Sequence, residues 1–398
     1  MMQTCFPLSH SRRSRHSLRE MKPLKSVNKG FSLIEVMVAM VIGLIALLVI
    51  MQVAGFAEGQ KRTTTGAGDA QNNAALGIYS VERDIKQAGF GFNSTSILGC
   101  PVNIHVAAAT VRPLGSLAPI TINPAEVPAG DPNTDSLLLV YGSSAGSPQG
   151  DIIMGLRSAD EIEINSIDDF SFRVGEFVIA APLEAADNCG RTGGAALVMA
   201  PITEKPADNM TITVPGLNAR AGDVLFNFGS TPKVVGYAIR QGNLTTCDYM
   251  QRTCVNHDDG TIVAEDWIVL VNDIVSLRAE YGRDAVAPFE GIDTWDQTTP
   301  ALAMFTNQAR FACGLARVSG VRLVLVARNS KPEACNRNDP AYPANCVTPD
   351  PPVWAGSINH PIDLSQIIGG EDDNWHSYRY QVFETVIPLR NIPWMGAC

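Results

Sequence analysis

The sequence predicts an α+β protein: a long N-terminal helix, hydrophobic first and amphipathic later, packed on an antiparallel β-sheet head with loop insertions. Three observations carry this. The 22 residues Val36–Ala57 hold no charge. The apolar spacing beyond them has helical period. From Asn93 onward the chain turns into short β-rich runs broken by Gly, Pro, Asn and Asp.

The first element is a basic leader. Residues 1–30 carry seven Lys and Arg against Glu20, a net +6, whereas the whole chain is −10 and residues 31–398 therefore −16. Met21 would open a shorter leader, MKPLKSVNKG. The second element, residues 31–57, is membrane-length: 22 uncharged residues make a helix of about 33 Å, enough for a hydrocarbon core of about 30 Å. It exceeds a signal-peptide h-region and has no small-x-small cleavage site behind it. Cationic flanks stay inside. The expected topology is a single pass through the inner membrane, with a cytoplasmic N-terminus and an exported head. One acid, Glu35, interrupts the apolar run.

The third element, residues 58–92, continues the helix. Ala74, Ile78, Val81, Ile85 and Ala88 fall on one face. Gly66 and Gly68 predict a kink or local melt, and Gly89 and Gly91 a stop. The fourth, residues 93–398, is the β-rich head. Strands are expected at Ser136–Tyr141, Glu161–Ile164, Phe170–Ala180, Met210–Val214, Val224–Phe228, Val234–Arg240 and Thr261–Val271. The clearest are Ile274–Tyr281, Val318–Arg328 and Tyr378–Leu389. Residues 283–310 and 329–376 read as loop insertions.

Eight cysteines follow the leader's Cys5, and an even number in an exported body points to disulfides. Cys247–Cys254 and Cys335–Cys346 each close a short loop between strand signals. Cys100–Cys189 and Cys313–Cys398 follow by elimination. No Cys or His has zinc-ligand spacing, so neither a metal nor a cofactor is expected, and an acidic body is a poor partner for nucleic acid.

Catalytic patterns are weak. GSSAG at Gly142–Gly146 matches a nucleophile elbow around Ser144, but Pro148 and Gly150 stand where the elbow needs a helix. DPNTDS from Asp131 starts like a calcium loop, yet Ser136 replaces its glycine and Gly142 its final Glu. Both read as turns, as do His257-Asp258-Asp259 and the EDDNWH loop at 371–376. The chain is not expected to be an enzyme.

Lys29-Gly30-Phe31-Ser32-Leu33-Ile34-Glu35 resembles the prepilin cleavage motif of type IV pilins and type II secretion pseudopilins. IYSVERDIKQAGFG, LVNDIVSLRAEYGRD and YRYQVFETVIPLRN are similar, in that order, to segments of PilW-type minor pilins. The resemblance implies cleavage by a prepilin peptidase after Gly30 and methylation of Phe31. It also implies a stalk helix under an antiparallel sheet, and assembly with other minor pilins and the major pilin. The implied role is priming a pilus near its tip, hence twitching motility, adhesion and a final location at the cell surface.

An acid in a bilayer helix costs about 2.5–3.5 kcal/mol near the centre and less near an interface, and it persists where it finds a partner. The amine freed at Phe31 is such a partner, either of a neighbouring subunit in the filament core or of the same chain at i,i+4. Two other functions stay open. One is a J-type pseudopilin, for which a mature chain of 368 residues is large; the other is a signal-anchored periplasmic enzyme or binding protein.

Overall fold

The computed structural model describes residues 30–392, apart from 93, 108–109, 145, 148, 165–171, 185, 207–209, 257–259, 285–290, 334 and 367–374. Helix α1 (Leu33–Gln87) is followed by β1 (Val102–Ala107), β2 (Thr110–Leu114), β3 (Ile120–Ile122), β4 (Leu137–Tyr141), β5 (Asp151–Leu156) and β6 (Glu161–Ile164). Next come β7 (Phe177–Ala181), β8 (Leu197–Pro201), β9 (Thr211–Thr213), β10 (Val224–Gly229), β11 (Lys233–Arg240) and β12 (Asn243–Asp248). The chain ends through β13 (Ile268–Val271), β14 (Ile274–Arg283), β15 (Thr294–Asp296), helix α2 (Gln308–Ala316), β16 (Val318–Arg328) and β17 (Tyr380–Pro388).

The chain forms two compact units, Met1–Gln60 and Lys61–Cys398. In the first, the described residues are the apolar part of α1, and its large side chains from Phe31 to Phe56 are exposed all round the helix. A surface helix of a globular head would bury one stripe; a helix apolar all round must be covered by protein or by lipid, and this one is long and apolar enough to cross a membrane. No part of its most apolar stretch is buried.

In the second unit α1 switches to an amphipathic pattern. Ala70, Ala74, Val81, Ile85 and Ala88 are buried, and Ile78 packs beside them. The helix continues without a break through Gly66 and Gly68, so no local melt occurs there. The propensity cost of about 1 kcal/mol per glycine is outweighed by the packing that begins at Ala70. Gly77 serves close approach: a Cβ there would stand 2.9 Å from Leu325 Cδ1 and 3.4 Å from Leu244 Cδ2. Gly89 (φ +83°) ends the helix in the left-handed conformation, and its N–H donates to the Val140 carbonyl at 2.9 Å.

Three sheets make the head. One has five strands in the order β13-β12-β11-β4-β3, one has four in the order β15-β14-β16-β17, and one has eight in the order β2-β1-β8-β7-β10-β5-β6-β9. Pairing is antiparallel except between β1 and β8. The middle of the five-stranded sheet is buried on both faces, which is why β4 reads as the unbroken apolar run LLLVY. Leu137, Leu139, Tyr237 and Ile239 face a core shared with α1 and with Leu277, Leu323 and Leu325 of the four-stranded sheet. Leu138, Val140 and Ala238 face a second core with the eight-stranded sheet and α2.

The insertion over 329–376 is a cover. Its Trp354, Ile362 and Leu364 pack on Val275, Val324 and Val326, the far face of β14 and β16. Some expected boundaries move. Phe170 lies outside the described residues, and β7 begins only at Phe177 because Gly175 (φ +88°) makes a turn first. A 3-10 turn at Ala264–Asp266 confines the 261–271 strand to Ile268–Val271. Helix α2 starts inside the stretch expected to be loop, capped by Asn307, whose side chain accepts from the Arg310 N–H at 2.9 Å.

The structure holds disulfides Cys100–Cys189, Cys247–Cys254 and Cys335–Cys346, with Cα separations of 5.8, 5.9 and 5.0 Å. Cys313 is disulfide-bonded too, and Cys398, its expected partner, lies outside the described residues.

Candidate functional site

The first site is the start of α1. Gly30, Phe31 and Ser32 precede the helix. The Ser32 carbonyl opens it by accepting the N–H groups of Glu35 at 3.0 Å and Val36 at 3.2 Å. The Gly30–Phe31 peptide bond therefore lies in non-helical backbone, where a peptidase can reach it. Nothing stands within 4 Å of the position a Gly30 Cβ would take, and Phe31 is 81% exposed. Glu35 sits in the first helical turn with its side chain exposed, where a carboxylate faces the unpaired N–H groups and positive dipole end. Residues 1–29, which include the basic leader, lie outside the described residues.

The second site lies where the last turns of α1 meet the five-stranded sheet. Asp84 falls next to the buried stripe and is only 5% exposed. Its Oδ2 accepts from the Tyr237 hydroxyl at 2.6 Å and its Oδ1 from Arg83 Nε at 3.2 Å. The Tyr141 side chain lies close enough to feel the Asp84 charge. Burial first, and the Asp84 charge second, push both tyrosine hydroxyls above their ordinary range, so they stay protonated donors. The hydrogen bond to Asp84 raises Arg83 in turn. A buried carboxylate is tolerable only when so satisfied, and the Tyr237 bond pins the helix to β11.

Beside this anchor is a cleft of about 540 Å³ lined by Arg83, Lys86, Lys233, Ser143, Thr231 and Phe90, with Tyr141, Gln87 and Asn391 at its walls. Asn391 closes one end, donating its amide to the carbonyls of Lys86, Gln87 and Ala88 at 3.2, 3.1 and 3.3 Å. Those carbonyls are among the four that every helix leaves without partners.

The other sequence candidates do not converge. Ser144 is buried and its Oγ accepts from the Gly146 N–H at 2.9 Å, a local turn, and no helix follows it among the described residues. Asp131 spends its carboxylate on the N–H groups of Gln241 and Gly242 at 2.9 and 2.7 Å. Asp135 spends its own on Asn123, Ala279, Gln297 and Arg278. Both acids are thus occupied by N–H donors and organise a turn. His257, Asp258, Asp259 and residues 371–374 lie outside the described residues; His376 bonds Thr348 O at 2.7 Å through Nδ1. Among the described residues no group of three or more His, Cys, Asp or Glu is arranged to hold a metal.

Sequence reasoning placed Gly30, Phe31 and Glu35 in one segment but missed the Asp84 anchor and the cleft. An acid beside the apolar stripe, in VERDIK, was the available signal.

Residues 25–51 match the model of the prokaryotic N-terminal methylation motif, and residues 237–391 match the model of the Type IV Pilus-assembly protein W family. The second match begins at Tyr237, which bonds Asp84, and ends at Asn391, which caps α1. No curated protein and no solved structure matches the chain.

Proposed function

We propose that this chain, whose matches to the Type IV Pilus-assembly protein W family and to the N-terminal methylation motif support a pilin of the PilW type, is a membrane-anchored minor pilin that helps prime pilus assembly near the tip. A prepilin peptidase cuts between Gly30 and Phe31 and the new amine is methylated. The helix then holds the chain in the inner membrane, its head periplasmic, until the subunit joins other minor pilins and the major pilin. Twitching motility and adhesion are the cellular outputs. The head is a binding module and not a catalyst, so Ser144→Ala leaves piliation unchanged.

One observation carries this: a single exposed carboxylate, Glu35, stands one turn from the cut at the head of an exposed apolar helix. In the filament core the charge that offsets it is the Phe31 amine of a neighbour, in preference to that of its own chain at i,i+4. Glu35→Ala leaves a helix that inserts and is cut as before, but orphans that amine. Leaving one partner of a buried pair alone costs about 3–5 kcal/mol.

The test compares the chain's abundance in membranes and in sheared pili for wild type, Glu35→Ala and Glu35→Gln. Alanine abolishes incorporation without affecting membrane levels, and glutamine restores it at most in part. An alanine variant that reaches pili at wild-type levels refutes the intersubunit role.

A further inference from the structure

We propose that a cavity at the N-terminal end of α2, apart from the cleft beside Asp84, binds a small uncharged molecule with an apolar body and a single hydroxyl, an alcohol or a phenol. The inference goes beyond pilus assembly and does not rest on it.

The cavity has a volume of about 360 Å³, with apolar wall supplied by Pro101, Pro300, Leu302 and Phe311. Gln308 and Phe311 of α2 are 2% and 3% exposed and form its floor, whereas Leu302, 46% exposed, stands at its mouth. The Cys100–Cys189 disulfide ties the chain around Pro101 to the Cys189 wall, so the space is built before a ligand arrives. An apolar cavity of about 150 Å³ takes benzene, so this one holds about a dozen non-hydrogen atoms.

Two polar side chains line it, and each has a group to spare. Gln308 donates from Nε2 to the Leu98 carbonyl at 3.1 Å, which fixes the orientation of its amide, and no described residue donates to its Oε1. Ser116 Oγ is buried with no hydrogen-bond partner among the described residues. Buried polar groups are rarely left unbonded, and here two stand on one cavity.

Their chemistry selects the ligand. Gln308 Oε1 only accepts, so the ligand must donate; an ether or ester cannot. A hydroxyl gives its proton to Oε1 and offers its lone pairs to the Ser116 proton. No described residue in the lining carries a charge. Glu126 and Asp187, at the border, are turned onto the walls' own N–H groups, of Gly115 at 2.6 Å and of Gln308 at 3.3 Å. The positive end of α2 is taken as well, by that aspartate and by Asn307, which accepts from the Arg310 N–H. An ion would therefore be desolvated without a counter-charge. A sugar brings more hydroxyls than two side chains can serve and presses the rest on proline and phenylalanine. An apolar body with one hydroxyl meets both demands.

The test uses the full-length chain in lipid nanodiscs, with empty nanodiscs as the blank, and follows para-fluorophenol by fluorine NMR relaxation. Para-fluoroanisole replaces the hydroxyl by an ether, para-fluorobenzoate by a carboxylate and para-fluorobenzamide by an amide; a fluorinated glucose stands for sugars. The phenol binds saturably and the other four bind weakly or not at all. Ser116→Ala weakens phenol binding by about fivefold, the scale of one hydrogen bond, with a melting temperature no lower than wild type because the lost hydroxyl had no partner. Gln308→Met weakens binding too but also takes a donor from the Leu98 carbonyl, so Ser116→Ala stays informative if that variant unfolds.

Absence of saturable phenol binding, equal binding of the anisole, or unchanged affinity in Ser116→Ala overturns the proposal. Tighter binding of the benzoate, the benzamide or the sugar overturns the choice of ligand. Leader processing and pilus incorporation are read in other assays, so the pilin reading stands or falls separately.

Discussion

Tyr237→Phe probes the bond that joins α1 to the head. The substitution deletes one oxygen from a side chain 3% exposed, leaving the ring and its packing against the α1 core in place. What disappears is a 2.6 Å hydrogen bond to a carboxylate that is itself buried. A hydrogen bond to a charged group contributes about 1.5–3 kcal/mol, and the orphaned acceptor bears the desolvation cost. Arg83 still reaches Asp84, so the lower half of that range, about 2 kcal/mol, is expected. All five tryptophans lie beyond residue 61, so urea unfolding followed by tryptophan fluorescence reports the head alone. Asp84→Asn completes a double-mutant cycle, in which contacting partners couple by about 0.5–3 kcal/mol. A Tyr237→Phe variant within about 0.5 kcal/mol of wild type, the range of an inert surface change, would refute the view that this bond anchors the helix.

Other consequences concern the head's stability. Burial pushes the Tyr281 hydroxyl up to about 12 from an ordinary 10.0, and raises Tyr141, Tyr237, Tyr249 and Tyr380 too. Above pH 10 the unfolded chain therefore loses phenolic protons that the folded chain keeps, so stability is flat below that pH and falls above it. The tyrosinate absorbance of these five of the eight tyrosines should appear with unfolding and not before it. Gly77→Ala should destabilise by about 1–2 kcal/mol, because the overpacking cost against Leu325 exceeds the helix-propensity gain. Gly68→Ala, with nothing within 4 Å of its Cβ, should instead stabilise by up to about 1 kcal/mol; thermal melts separate the two. Removing Cys100–Cys189, which spans 89 residues, should cost about 2–5 kcal/mol, and non-reducing peptide maps should show Cys100 linked to Cys189.

The parts of this fold legible in the sequence are those whose signal is local and long. The α1 stripe repeats over four turns, and β16 and β17 are runs of 11 and 9 residues with apolar residues throughout. Strands such as β2 (TVRPL) and β12 (NLTTCD) escaped notice because a proline or polar residues interrupt them, and only their partners make them strands. Helix α2 has nine residues and begins at the end of the loop-like stretch 283–310, its one local mark being the Asn307 cap. The candidate residues Gly30, Phe31 and Glu35 were visible because they lie within one six-residue segment. The anchor was not, since Asp84 and Tyr237 are 153 positions apart, and the cleft draws on four separate chain segments.

The central claim is that this chain is processed at Gly30 and enters a pilus, and the intact mass of the chain recovered from sheared pili tests it most directly. The account predicts a species that begins at Phe31, carries one added methyl group and includes the disulfides as formed. A chain that keeps residues 1–30 where the peptidase is active, or one confined to membranes and missing from the pili, would contradict it.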